Sequence, residues 1–418
     1  MQVAMARLRS NTFLRQGALV FAGSMFVNAA GFVFHMIASR TLGPAGYGTL
    51  YALLAAMALA SGPAVIAMPV ISRFAAEFRA RDDRAHLRGL TVGLGRVGIV
   101  LALALVLAAG LASVPLGAFL HAPAWSIPLA ALLMVATLAS AAYRALAQGL
   151  HDFEGYAISA FVEGVTKIVA TLAFAAIGWQ LFGALGGFVV GSAAGTVLIV
   201  TRVLARTMQA PEEPVRYDWR RIAYATAGSA ALAVGASLFG NVDVVIVKHA
   251  FDATQAGIYS AASLGGKIVL FGVGFVPAVL LPQATDRNAR GERTSGVLFA
   301  SCGVVLGLGG LALLVFHFFG PLLVRVLVGP AFAVPNALLI WYGAAMLCVA
   351  LISALGSYGI AVHRLAFGWS VVAGSAGTWI ALAVYHPSLD AVVHVLAGGA
   401  AVTALATAIS IGVQSVRR

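Results

Sequence analysis

Twelve stretches of this chain are each close to the length of about 20 apolar residues that a membrane-spanning helix requires. They lie at 17–39, 47–71, 91–113, 125–147, 156–178, 183–203, 222–248, 256–281, 296–319, 335–360, 366–385 and 390–412. Charged residues make up 10% of the chain and hydrophobic residues 61%. A soluble domain carries about 25% charged residues to cover its surface, so the solvent for most of this surface is lipid. Inside lipid each backbone N–H and C=O needs a partner within its own segment, which predicts helices throughout. The expected fold class is an all-α integral membrane protein of about twelve transmembrane helices. The first stretch follows the basic residues Arg7, Arg9 and Arg15, is too long for a signal-peptide core, and reads as a retained first span.

The formal charge of +12 is not a nucleic-acid footprint, because the basic residues sit between apolar runs rather than on one polar domain. Their placement instead orients the chain. With the N-terminus inside, 21 of the 26 Lys and Arg residues fall on one side, in clusters such as Arg73–Arg96 and Arg202–Arg221. Arg40, Lys248 and Arg325 lie near the other side, and Lys167 and Lys267 lie within spans. This positive-inside asymmetry predicts two cytoplasmic termini. Trp125, Trp179, Trp219 and Trp369 stand at segment ends, as an interfacial aromatic belt requires.

The longest polar loop runs from Arg202 to Arg221 through Pro211-Glu212-Glu213-Pro214. It divides the chain into expected halves at 1–210 and 211–418, six spans each. Ala45-Gly46, after the first span, aligns with Ala256-Gly257, after the seventh, at an offset of 211 residues. That places similar residues at matching points of the two halves and points to duplication. Repeats of even span number insert the same way up, related by an axis along the membrane normal, with the binding site between them.

Signatures of enzyme chemistry are absent. Gly266-Lys267 is followed by Ile268 and preceded at 261 by Ala, so there is no nucleotide-binding P-loop. There is no G-x-S-x-G nucleophile turn and no H-x-x-x-H pair among the nine histidines, so neither a catalytic serine, a metal nor any other cofactor is expected. Cys302 and Cys348 lie in apolar segments and read as small packing residues.

Gly183, Gly187, Gly191 and Gly195 repeat every four residues on the sixth span. Such a stripe lets a second helix approach closely, as a static contact or as a sliding surface. The ionisable residues inside spans carry more functional weight, since each costs about 2.5–3.5 kcal/mol at a helix centre on insertion scales. Glu163 and Lys167 are four apart and share a face, so they read either as a self-neutralising pair or as cavity residues. Asp243, beside Asn241, needs a partner or a cavity. Lys248 reads as snorkelling to the outer interface. Lys267 lies too deep to snorkel, with Ser263, Leu264, Leu270 and Phe271 three and four positions away. Arg40 and Arg144 lie near span ends and read as interface anchors or ligands. The mixed-charge connector Arg73–Arg88, with Glu77, Asp82 and Asp83, is expected to set topology and attract head groups.

The turn Ala38-Ser39-Arg40-Thr41-Leu42-Gly43-Pro44-Ala45-Gly46-Tyr47-Gly48 resembles the "LG…YG" turn of the polysaccharide-transporter (Wzx-type) branch of the multidrug/oligosaccharidyl-lipid/polysaccharide (MOP) exporter superfamily. Asn241-Val242-Asp243 through Ala256-Gly257-Ile258-Tyr259-Ser260-Ala261-Ala262 resembles its second-half counterpart. The resemblance implies two six-helix halves related by a pseudo-twofold axis around a V-shaped central cavity. It implies a flippase, not an enzyme, that carries an undecaprenyl-pyrophosphate-linked oligosaccharide across a bacterial inner membrane by alternating access. It also implies cationic cavity residues that receive the pyrophosphate or acidic sugars. Lys267 is the first candidate here, followed by Arg40, Arg144 and Lys167, with Asp243, Asn241 and Glu163 as further cavity candidates. Membrane lipids, and the polymerase and glycosyltransferases of the same route, are the implied partners. The readings weighed against it are a cation-coupled drug exporter of the same superfamily, an integral membrane glycosyltransferase or polymerase, and a non-transporting scaffold.

The charge asymmetry makes a direct prediction. A reporter fused near Glu212 should report the cytoplasm, as should reporters at both termini. A periplasmic signal near Glu212 overturns the twelve-span arrangement.

Overall fold

The computed structural model describes residues 2–209, 211 and 219–416. The Glu212-Glu213 pair, Arg216, Arg417 and Arg418 lie outside the described residues. Every regular element among the described residues is helical. The first seven helices are α1 (Gln2–Ala80), α2 (Arg84–Leu111), α3 (Ser113–Phe119), α4 (Ser126–Gly149), α5 (Phe153–Ala176), α6 (Gln180–Thr207) and α7 (Trp219–Ala250). They are followed by α8 (Ala253–Gly272), α9 (Phe275–Ala289), α10 (Ser295–Leu327), α11 (Asn336–Ala361), α12 (Phe367–Val384) and α13 (Leu389–Val416).

Among the described residues, 11 helical stretches are long and apolar enough to span a membrane. The twelve sequence stretches map onto these 11 windows in order, the first two sharing Met25–Gly62. The sharing has a local cause. Gly43 adopts φ 64° and ψ −179°, a conformation open essentially to glycine alone, and breaks α1 into two helices. Pro44 then opens the second of them, at the one helical position where its missing N–H costs nothing. The chain is thus a multi-pass membrane protein. Its exposed surface is correspondingly apolar, including Leu103, Leu107 and Leu111 along one face of α2.

Aspartates start three of these helices. Asp83 accepts a hydrogen bond from the His86 amide at the head of α2, and Asp152 from the Gly155 amide at the head of α5. Asp252 accepts from the Thr254 and Gln255 amides at the head of α8. Each satisfies donors that a helix start leaves open.

The helices fall into two compact units. The first comprises residues 1–41, 67–118 and 122–218, and the second residues 42–66, 119–121 and 219–418. In the first unit α6 packs along α5 and α4, and α4 packs on α2. The glycine stripe makes the α5–α6 contact. A Cβ on Gly191 would stand 2.7 Å from the Lys167 amide nitrogen, and one on Gly195 would stand 2.8 Å from the Glu163 Cβ. One on Gly187 would run into Thr171. The stripe is therefore a backbone-to-backbone seam inside one bundle, with no room for side chains.

In the second unit α11 touches α7, α8, α9, α10, α12 and α13, and most of its buried positions carry Ala, Gly, Ser or aliphatic residues. The two motif segments recognised in the sequence meet here. A Cβ on Gly48 would stand 2.7 Å from the Gly257 nitrogen, and one on Gly257 would strike the Pro44 carbonyl.

Helix ends recur at offsets close to that of the two motif segments. Left-handed residues end helices at Asp82 and Gly291, at His121 and Gly329, and at His151 and His363. These pairs are 209, 208 and 212 residues apart, close to the motif offset. At Asp82, Gly291, His151 and His363 the following amide closes back on a carbonyl five residues earlier, as Asp83 does on Phe78 at 2.9 Å and Arg364 on Gly359 at 2.7 Å.

Gly191→Leu should lower the detergent melting temperature, at a cost of about 1–3 kcal/mol for overpacking a closed seam. An unchanged melting profile would contradict the seam.

Candidate functional site

The second unit holds a buried polar chain that assembles four of its segments. Tyr259, Ser263 and Lys267 lie four apart on α8 and so present one face. Lys267 Nζ donates to the Tyr51 hydroxyl at 3.1 Å, and sits 5.0 Å from the centre of the same ring. The Tyr51 and Ser263 hydroxyls are 3.3 Å apart. Ser263 donates to the Tyr342 hydroxyl on α11 at 2.8 Å. Tyr259, packed edge-on against Tyr342 at 5.8 Å, donates to Asp243 Oδ2 on α7 at 2.9 Å.

Asp243 is fully buried, and its Oδ1 has no hydrogen-bond partner among the described residues. Lys267 acts on it electrostatically, and Tyr342 stands beside the same carboxylate. The two opposite charges are therefore bridged by phenols rather than joined in an ion pair. A cation that rests on a neutral phenol keeps most of its capacity for an anion, while the acid is held by oxygen-linked donors.

A second cluster lies in the first unit. Glu163 Oε2 is 2.8 Å from Arg144 Nη2, an ion pair by distance though not aligned as a hydrogen bond. Ser140 donates to the same carboxylate at 3.3 Å, and Arg144 Nε donates to Ser159 at 2.9 Å. This corrects the reading of Glu163 and Lys167 as a self-neutralising pair: α4 brings in Arg144, and a bidentate-capable guanidinium takes the acid. It also corrects Arg144 from an interface anchor to a half-buried partner. Lys167, 2% exposed, turns instead onto the rings of Phe188, at 4.4 Å, and Phe34, at 6.0 Å. Aromatic faces attract a cation without neutralising it. Two cations and one acid thus share this bundle.

The other sequence candidates stand apart. Asn241 Nδ2 donates to the Ser237 carbonyl one turn back on α7. Arg40 is exposed and donates to the Met36 carbonyl of its own helix at 2.9 Å. Lys248 does not snorkel: it is 2% exposed. Sequence reasoning passed over Tyr51, Tyr259, Ser263 and Tyr342, although the four-residue spacing of Tyr259, Ser263 and Lys267 is a readable polar stripe on an apolar helix.

The connector Arg73–Arg88 and the end of α6 form a third charged region. Arg81 pairs with Glu77 at 2.8 Å, and Arg84 with Asp82 at 3.1 Å. Two hydrogen bonds from His86, one from its amide and one from its ring, hold the Asp83 carboxyl below the usual carboxylate range. Asp152 receives Arg202 at 2.8 Å and Arg206 at 3.3 Å. Burial pushes the Asp152 carboxyl up, but these guanidinia and the Gly155 amide pull further and leave it below its ordinary value. An open cavity of about 380 Å3 lies between the connector and the end of α6.

Residues 13–286 match the family described as "Polysaccharide biosynthesis protein". An uncharacterised protein of Mycobacterium tuberculosis is 26% identical over 360 residues, covering 81% of this chain and 79% of its own. A second is 24% identical over 371 residues, covering 85% and 83%. Among solved structures, the inward-facing conformation of a multidrug resistance MATE family transporter of the MOP superfamily superposes with a TM-score of 0.76 at 12% identity, over 94% of this chain and 95% of that one. A MOP superfamily transporter from Pyrococcus furiosus, described as having a binding pocket of reversed polarity that suggests a different function, gives 0.59 at 11% identity over 96% and 94%. The fold expected from the sequence is therefore the fold observed.

Tyr259→Phe should destabilise the protein by about 1–3 kcal/mol, because it removes a donor from a buried carboxylate. Adding Asp243→Asn should recover part of that loss. Equal melting of wild type and Tyr259→Phe would show that the bond carries no weight.

Proposed function

The chain belongs to the polysaccharide biosynthesis protein family, and from that premise we propose that it is a flippase. Its cargo is a lipid-linked oligosaccharide of the undecaprenyl-pyrophosphate type, moved across the bacterial inner membrane by alternating access. The observation that carries this reading is Lys267: an ammonium within a span whose hydrogen-bond partner is a phenol, Tyr51, at 3.1 Å. An anion is the ligand that such a cation lacks. Lys167 rests on ring faces in the other unit, where the Glu163 charge also acts on it. A pyrophosphate supplies that anion, while the polyprenyl tail stays in hydrocarbon and only the glycan needs a polar route.

The acids argue in the same direction. Glu163 is taken by Arg144, and Asp243 is occupied through one oxygen by Tyr259. A site for cationic drugs needs its acids free, and of these two Glu163 is already taken. The protein needs no catalytic group of its own for this work, since no bond is made or broken. The polymerase and glycosyltransferases that make and use the lipid-linked glycan are the partners this function requires.

The test is complementation of a surface-polysaccharide defect, run beside an expression blot. Lys267→Gln should abolish the polysaccharide while expression persists, and Lys267→Arg should retain part of it. Normal polysaccharide from well-expressed Lys267→Gln removes this residue, and the reading built on it.

A further inference from the structure

We propose that the cavity between the α1–α2 connector and the end of α6 binds a zwitterionic phosphoethanolamine head group of a membrane lipid. It lies at one end of the first unit, at the ends of the spans. The site is distinct from Lys267 and does not depend on the cargo.

Size sets the class of ligand. About 380 Å3 is at the low end of ligand clefts, which suits a head group and is too small for an oligosaccharide. The lining sets the charge. Arg79, Arg84 and Arg206 bring guanidinia and Asp82 and Asp83 bring carboxylates, of which Arg84 already pairs with Asp82 and Arg206 with Asp152. A planar guanidinium presents paired N–H donors to two oxygens of a phosphate. The carboxylates accept hydrogen bonds from a primary ammonium, which a quaternary ammonium cannot donate. A simple anion would meet two like charges here. Leu87 and Leu150 supply an apolar wall for the first carbons of the lipid.

The lining is held in place before any ligand arrives. Asp152 anchors Arg206 at 3.3 Å, and the Asp152 side chain is itself buried. Asp83 caps α2 through the His86 amide at 3.1 Å and holds the His86 ring at 2.9 Å. Asp82 occupies a left-handed turn at φ 51°, closed by Asp83 N–H on the Phe78 carbonyl. The matching turn of the other repeat has Gly291, the residue that bears this conformation without cost.

Native mass spectrometry on the full-length protein tests this, using lipids of identical chains along the series from phosphatidylethanolamine through its mono- and dimethyl forms to phosphatidylcholine, with phosphatidylglycerol as the anion. The wild type should retain phosphatidylethanolamine about tenfold over phosphatidylcholine, the worth of one charge-assisted hydrogen bond. Asp82→Gly preserves the turn and should erase that preference, and its melting temperature without lipid serves as the folding control. Arg79→Gln should weaken both lipids together. Soluble glycerophosphoethanolamine should compete only weakly, because the acyl chains hold the lipid beside the site. Equal retention of ethanolamine and choline lipids by the wild type, tighter binding of phosphatidylglycerol, or an unchanged preference in a folded Asp82→Gly protein would each overturn the proposal. Full displacement by the soluble head group would overturn the lipid as its source.

Discussion

A charge inside a hydrocarbon layer has to be answered by other groups of the protein, and the way each is answered organises this molecule. The acids are answered unequally. Glu163 has Arg144 and Ser140, and Asp243 has Tyr259. The lysines touch groups that carry no formal charge, Phe188 and Phe34 for Lys167 and Tyr51 for Lys267, while the charges of Glu163 and Asp243 act on them as well. Phenols and ring faces hold a cation in place at modest cost and leave its charge in the site.

Those answers depend on close helix approach, which glycine provides. The seam of Gly187, Gly191 and Gly195 lets α6 lie on the backbone of α5 at Thr171, Lys167 and Glu163. Both intramembrane charges of α5 therefore stand on the face that α6 covers. In the second unit, the crossing of Gly48 and Gly257 brings the segment after Pro44 against the start of α8. Tyr51 is one turn beyond that crossing and Lys267 lies further along α8, so the bond between them rests on a contact between two glycines. The "LG…YG" turn and its second-half counterpart are thus the geometric condition for the polar chain as well as marks of the family.

How much of this was legible follows from which forces act along the chain and which act across it. Span positions are set by composition over some twenty residues, so every expected stretch reappears, and Gly43-Pro44 announces the break in α1. The stripe at 183–195 was readable for the same reason. Pairing is decided by how each helix is turned about its axis and by which helix lies next to it. The four-residue spacing of Glu163 and Lys167 pointed to a local pair, but Arg144, on another helix, offered the acid a better partner. Tyr51 is 216 residues from Lys267, and nothing in a local window joins them. Lys248 looked free to snorkel because burial by neighbouring helices has no signature in its own segment.

The polar chain also gives the site a mechanical reach that a lone lysine would lack. Lys267, Tyr51, Ser263, Tyr342, Tyr259 and Asp243 lie on the second helix of α1, on α7, on α8 and on α11. An anion that drew the ammonium away from Tyr51 would change what that hydroxyl offers Ser263, and so what Ser263 and Tyr342 offer each other. Asp243, with one oxygen already unpartnered, is placed to feel the change in charge. α11 touches the other helices from α7 to α13, so a rearrangement at Tyr342 is felt by the bundle rather than by one side chain. Ligand occupancy can then bias the packing of the second unit through bonds already present, which is the physical requirement for coupling a bound anion to a change of state.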